Sequence, residues 1–174
     1  MRQRTRPGRL PVRARLTACT GPASYDGLIE MVTVHIVVGV SVIAANLGVG
    51  LWGGGAWLLD RPSVGFWYAL RVAQVAIVVQ ALIGGVLLLS GREAVDGLHY
   101  LYGLLPIVVA FFAEAIRAGA APHELEGLDF EALPRERKRD IALAIVRRET
   151  GIMAVSALVI FGLALRAAFT TPAV

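Results

Sequence analysis

Cysteine and lysine each occur once in the 174 residues, as Cys19 and Lys138. A lone thiol excludes an internal disulfide and a thiolate metal cluster within one chain, so no covalent staple holds this fold. Histidine is nearly as scarce, with three in all, which excludes a histidine-rich metal tract. The chain has no P-loop, no Gly-x-Ser-x-Gly elbow and no dinucleotide fingerprint, which leaves kinases, soluble-type hydrolases and dinucleotide-dependent enzymes without support. Charge is sparse and badly spread. Charged residues make up 17% of the chain, and the hydrophobic ones make up 56%.

What is present is a set of apolar runs about as long as the ~20 residues a helix needs to cross a bilayer. Mean hydropathy is +0.66, which excludes an ordinary soluble domain. The runs cover about residues 28–52, 66–90, 98–116 and 152–169, and short connections between them imply an all-α antiparallel up-and-down bundle of four transmembrane helices. Trp67 and Tyr68 open the second run, where amphipathic rings favour the headgroup zone. Asp96 is a natural N-cap for the third. Membrane lipids are therefore the expected partners, and nucleic acid is not.

Two segments stand apart from the spans. Residues 1–24 hold six arginines and three prolines without apolar periodicity, which predicts a disordered basic tail suited to anionic headgroups, or an upstream extension of the reading frame. Within it, Leu16–Cys19 reads LTAC, but the arginine-rich residues before it lack the apolar core of a lipoprotein signal. The second segment is the loop 117–149. Its stretch PRERKRDIALAIVRRE puts Ile141, Ile145 and Arg148 on one side, which predicts an amphipathic helix lying on the membrane surface and leading into the fourth span. Seven basic residues of this loop lie close to two spans, which places it in the cytoplasm and both chain ends outside. The strong preference for arginine over lysine, with abundant Ala, Gly and Val, suggests a GC-rich bacterial genome and a plasma-membrane location.

Chemistry concentrates on two histidines. His35 in HIVVG and His99 in HYLYG each lie near the mouth of a span, and each is followed four residues later by a glycine, Gly39 and Gly103. Spans one and three run in the same direction, so both imidazoles approach the same leaflet. Two neutral imidazoles from facing helices of a four-helix bundle are the arrangement that holds a b-type haem, one on each axial position of the iron. A glycine one turn deeper faces the same side of its helix and lets a flat macrocycle approach the backbone. A polar residue in a membrane helix also hydrogen-bonds neighbouring helices, so interhelical packing stands beside ligation as a reading of both residues. His123, in the loop, has no second ligand at metal spacing.

The block QALIGGVLLLSGREAVDGLHYLYGLLP, Gln80–Pro106, resembles a segment of the haem A synthase family. In that family a Gln-x-x-Leu-Gly-Gly motif near the end of one span is followed, across a short turn, by a ligand histidine opening the next. Glu30 and His35 are similar to that family's Glu and His of the preceding liganded span, with a longer spacing and no arginine after the histidine. The resemblance implies that Gln80, Gly84 and Gly85 match the motif, that His99 matches one axial ligand and His35 the other, and that the histidines face the extracytoplasmic side. It also implies haem as cofactor and respiratory-chain proteins as partners. The family joins two four-helix halves, whereas this chain has one, so oxidation of haem would require a homo-oligomer.

The remaining polar residues of the spans have structural readings. Asn46, Gln74 and Gln80 are expected to bond across helices, Arg71 to snorkel to the interface, and Glu114 to mark the boundary of span three, where a local pair with Arg117 is the second reading. Two functions follow. One is a small bis-histidine haem protein of the membrane in electron transfer or haem handling for a respiratory oxidase. The other is a cofactor-free scaffold or assembly factor that docks a partner through the 117–149 loop.

Overall fold

The computed structural model describes residues 22–170 apart from 95, 126, 128 and 130. The arginine-rich tail up to residue 21, with Cys19, lies outside the described residues. Five helices follow in order: α1 (Pro22–Leu58), α2 (Val64–Leu89), α3 (Leu98–Ala118), the single-turn α4 (Ala120–Leu125) and α5 (Arg135–Phe169). α1, α2, α3 and α5 are each long and apolar enough to cross a membrane. The molecule is an all-α four-helix membrane bundle.

The turns follow from local chemistry. Ser63 caps α2 by accepting from the Phe66 amide at 3.3 Å. At the other end of α2, Gly91 adopts φ +81°, and bonds from Gly91 N to Leu88 O and from Arg92 N to Leu87 O form a Schellman closure. The Asp96 carboxylate accepts from the Leu98 amide at 2.9 Å, as its position predicts, although the helix starts one residue later than a strict N-cap would place it.

α1 continues through the glycine run Gly53–Gly55, where the sequence suggested an end, and its first turn takes in residues 22–24, assigned above to the tail. Within the run, Gly53 is packed. A Cβ on Gly53 would collide with the buried Phe66 ring, so only glycine lets α1 and α2 approach there. Gly151 of α5 plays the same part against the Trp57 indole, at 2.9 Å for a hypothetical Cβ. Without a hydrophobic driving force between helices in lipid, such close approach is the main source of association.

Packing is uneven around the bundle. α1 packs on α2 and α5, and α5 on α3; the consecutive helices α2 and α3 touch least, leaving a seam. The core has two parts, one built on Val49, Phe66, Leu70, Ala73, Ala113, Met153 and Ala157, the other on Val42, Ile77 and Ile160.

Two expectations change. The segment predicted as a surface helix is not a separate element: residues 135–150 are the beginning of α5, a single 35-residue helix. At 1.5 Å per residue it is about 52 Å long, against roughly 30 Å of hydrocarbon, so its N-terminal part projects beyond the bundle. Nothing between Arg148 and Ile152 breaks it, because Thr150 is buried with its hydroxyl on Val146 O at 2.8 Å and Gly151 is fixed by Trp57. Asn46, expected to bond across helices, instead donates to Val42 O of its own helix at 2.8 Å.

Candidate functional site

The up-and-down order brings four helix regions to one end of the bundle: the first half of α1, the end of α2, the start of α3 and the end of α5. His35, Gln80, His99 and the Ala167 carbonyl meet there. The His35 and His99 rings lie with their centres 6.2 Å apart and their planes inclined by 57°. His35 sits deeper in α1 than His99 in α3, yet α1 begins well before the bundle proper, which brings the two level.

Each imidazole is oriented by a neighbour. His99 Nδ1 lies 3.1 Å from the Ala167 carbonyl oxygen, which can only accept, so Nδ1 carries the proton and Nε2 keeps its lone pair. Ala167 sits in the last turn of α5, and its carbonyl, which also accepts from the Thr170 hydroxyl at 2.7 Å and the Thr170 amide at 3.3 Å, is shared with His99. His35 Nε2 lies 3.2 Å from the Gln80 amide nitrogen, a bond between α1 and α2 of the expected kind. His35 Nδ1 and Gln80 Oε1 are buried without a partner among the described residues. Rotating the amide by half a turn would put Oε1 against Nε2–H and free Nδ1 as a lone-pair donor, the same logic as at His99. In either orientation one buried polar atom at His35 is left for something else to satisfy, and such atoms are costly in an apolar interior.

The glycines divide. A Cβ on Gly39 would come within 2.9 Å of the Gln80 amide, and one on Gly84 within 3.1 Å of His35 Cε1, so both are needed for the Gln80–His35 contact. Gly85 and Gly103 have no heavy atom within 4 Å of a hypothetical Cβ. Gly103 is exposed on α3 one turn below His99, which leaves open the approach the sequence reading assigned to a macrocycle. Glu30 is exposed and lines, with Met31, Val34, Leu82, Ile83 and Val86, an open cleft of about 410 Å³ between α1 and α2. Among the described residues no group of three or more His, Cys, Asp or Glu is placed to hold a bare metal ion.

A second polar cluster occupies the opposite end. Arg71 of α2 donates through Nη1 to Glu114 of α3 at 2.6 Å and to Gln74 at 2.7 Å, and Gln74 also donates to Glu114 at 2.8 Å. Arg117 pairs with Glu114 at 2.8 Å, reaches Glu149 of α5 at 3.7 Å and stacks over the Trp67 ring at 5.8 Å. Glu114, read from the sequence chiefly as a boundary residue, forms the local pair with Arg117 and reaches Arg71 as well. Arg71 does not simply snorkel; it is held across the α2–α3 seam by Glu114. A carboxylate inside an apolar run was the available signal for this cluster. The role of Ala167 had none, because a backbone carbonyl carries no residue signature.

No protein-family model, curated protein or solved structure matches the chain.

Proposed function

We propose that this protein is a small haem-binding membrane protein in which His35 and His99 are the axial ligands of a b-type haem, serving electron transfer or haem handling for a respiratory oxidase. The observation that carries the reading is the meeting of the two imidazoles at 6.2 Å at one end of the bundle. Two metal–nitrogen bonds of about 2 Å separate coordinating nitrogens by roughly 4 Å, and each ring centre lies about 1 Å behind its nitrogen, so axial imidazoles have centres about 6 Å apart. A porphyrin brings four nitrogens of its own, so two histidines suffice where a bare ion would need more.

The residues present suit such a group. The carbonyl of Ala167 holds His99 in the tautomer that offers Nε2, the usual outer partner of a ligating histidine. With its amide rotated so that Oε1 accepts from Nε2–H, Gln80 would do the corresponding work for His35 and leave Nδ1, buried and unpartnered among the described residues, as the nitrogen on offer. Gly103 and the loosely packed α2–α3 seam leave room beside His99. When bound, the haem supplies a one-electron couple; the protein supplies the ligands, their orientation and an apolar surround that sets the potential. The likeness of Gln80–Pro106 to haem A synthase supports the same assignment, and with it an orientation in which this end of the bundle faces outside a bacterial plasma membrane and the 117–149 loop lies in the cytoplasm.

The test is expression with ample haem, purification in detergent and a visible spectrum. The parent is expected to show a Soret band with about one haem per chain, and His99→Ala and His35→Ala to lose haem or its low-spin signature. A colourless parent, or a His99→Ala variant with an unchanged spectrum, would sink the reading. The two bonds at the histidines also suit the alternative of a cofactor-free scaffold, in which His35–Gln80 and His99–Ala167 only tie helices together. That reading predicts a colourless, stable parent whose function depends on the projecting part of α5.

A further inference from the structure

We propose that Arg71 forms a docking site for the phosphate of a glycerophospholipid, in the leaflet opposite the histidines. The inference is independent of haem and rests on how the Arg71 guanidinium is held.

Arg71 lies seven residues into α2, about 10 Å along the helix, and one turn past Trp67. Trp67 and Tyr68 mark the headgroup zone, so the guanidinium sits at the level of the lipid phosphates and glycerol esters. Its side chain is 50% exposed. Nη1 alone is engaged, by Glu114 and Gln74. Nε and Nη2 have no partner among the described residues. These two N–H groups form the parallel fork that matches two oxygens of a phosphate, and the Nη1 contacts with Glu114 and Gln74 leave that edge of the half-exposed side chain unengaged.

Glu114 is shared between two guanidiniums, taking Arg71 on Oε1 and Arg117 on Oε2. The second carboxylate of the cluster, Glu149, reaches Arg117 only. Arg71 therefore shares its one carboxylate with a second cation, in a cluster whose two guanidiniums and two carboxylates balance overall. Toward the bilayer centre, Val72, Val75 and Val78 of α2 and Phe111 of α3 are exposed beside the loosely packed α2–α3 seam, a surface suited to an acyl chain.

The test uses the full-length protein, delipidated in detergent and titrated by native mass spectrometry. Dioleoyl phosphatidylglycerol is compared with dioleoylglycerol, which has the same chains and no phosphate, and excess inorganic phosphate serves as competitor. Arg71→Lys keeps a cation for Glu114 but loses the fork. The expected result is saturable binding of the phospholipid, about tenfold weaker binding of dioleoylglycerol, no displacement by inorganic phosphate, and a roughly tenfold loss in Arg71→Lys, the weight of one charge-assisted bond. Equal binding of the two lipids by the parent would overturn the proposal without any variant being needed. So would displacement by inorganic phosphate, or a folded Arg71→Lys protein that binds like the parent.

Discussion

At the scale of single residues, Gly103 separates the two readings of the histidine end. No heavy atom lies within 4 Å of a Cβ placed there, so Gly103→Val is expected to leave the melting temperature of the protein within about a degree of the parent. If a macrocycle lies against that face, the same variant binds markedly less haem, read as the Soret to protein absorbance ratio. A full Soret band in Gly103→Val would move the haem plane elsewhere or remove it. Gly53 predicts the opposite pattern: its Cβ would enter the space of the fully buried Phe66 ring, so Gly53→Val should cost about 1–3 kcal/mol by overpacking and lower the melting temperature in detergent. The contact of the two histidines was legible because two scarce residues repeat one spacing, and that of Gln80 because an amide in an apolar run must bond something. What was not legible is how each ring is oriented. Ala167 acts through its carbonyl, and Gly39 and Gly84 turn out to admit the Gln80–His35 contact, which depends on how close α1 and α2 approach rather than on any local pattern.

At the scale of elements, the four spans were readable from length and apolarity alone, with ends displaced by a few residues where packing overrides local signals. The first span was read to end at Gly53–Gly55, yet α1 runs through them, with Gly53 packed against the Phe66 ring. The continuity of α5 was the larger surprise, since the switch from an amphipathic to an apolar pattern near Glu149 mimics a boundary while no residue there breaks the backbone. It can be measured with spin labels at Arg139→Cys and Gly162→Cys in a Cys19→Ser background. A continuous helix separates the two backbones by about 35 Å, whereas a right-angle bend near Thr150 would bring them to roughly 25 Å. The ion pair between Arg147 of α5 and Asp60 of the α1–α2 turn, 2.7 Å long, braces the projecting part against the bundle. Both groups are largely exposed, so its loss in Asp60→Ala should lower the melting temperature only slightly, by an amount that salt reduces further.

At the scale of the whole molecule, the two ends of the bundle are chemically different. One gathers two imidazoles and an amide, the other two guanidiniums and two carboxylates, and the proposed function has the charged end facing the cytoplasm. A membrane-impermeant maleimide on intact cells should then label Gly97→Cys and not Glu131→Cys, in the same Cys19→Ser background; the reverse labelling would invert the proposed orientation. Under the proposed assignment the two histidines would hold one haem per chain, which suits electron transfer or haem handling rather than a reaction that needs a second haem in the same chain. The most direct check is electron paramagnetic resonance of the ferric, detergent-purified protein at about one haem per chain. Two histidine ligands predict a low-spin spectrum that becomes high-spin or disappears in His35→Ala and in His99→Ala. A low-spin spectrum that survives both substitutions, or a parent that takes up no haem, would contradict the bis-histidine assignment.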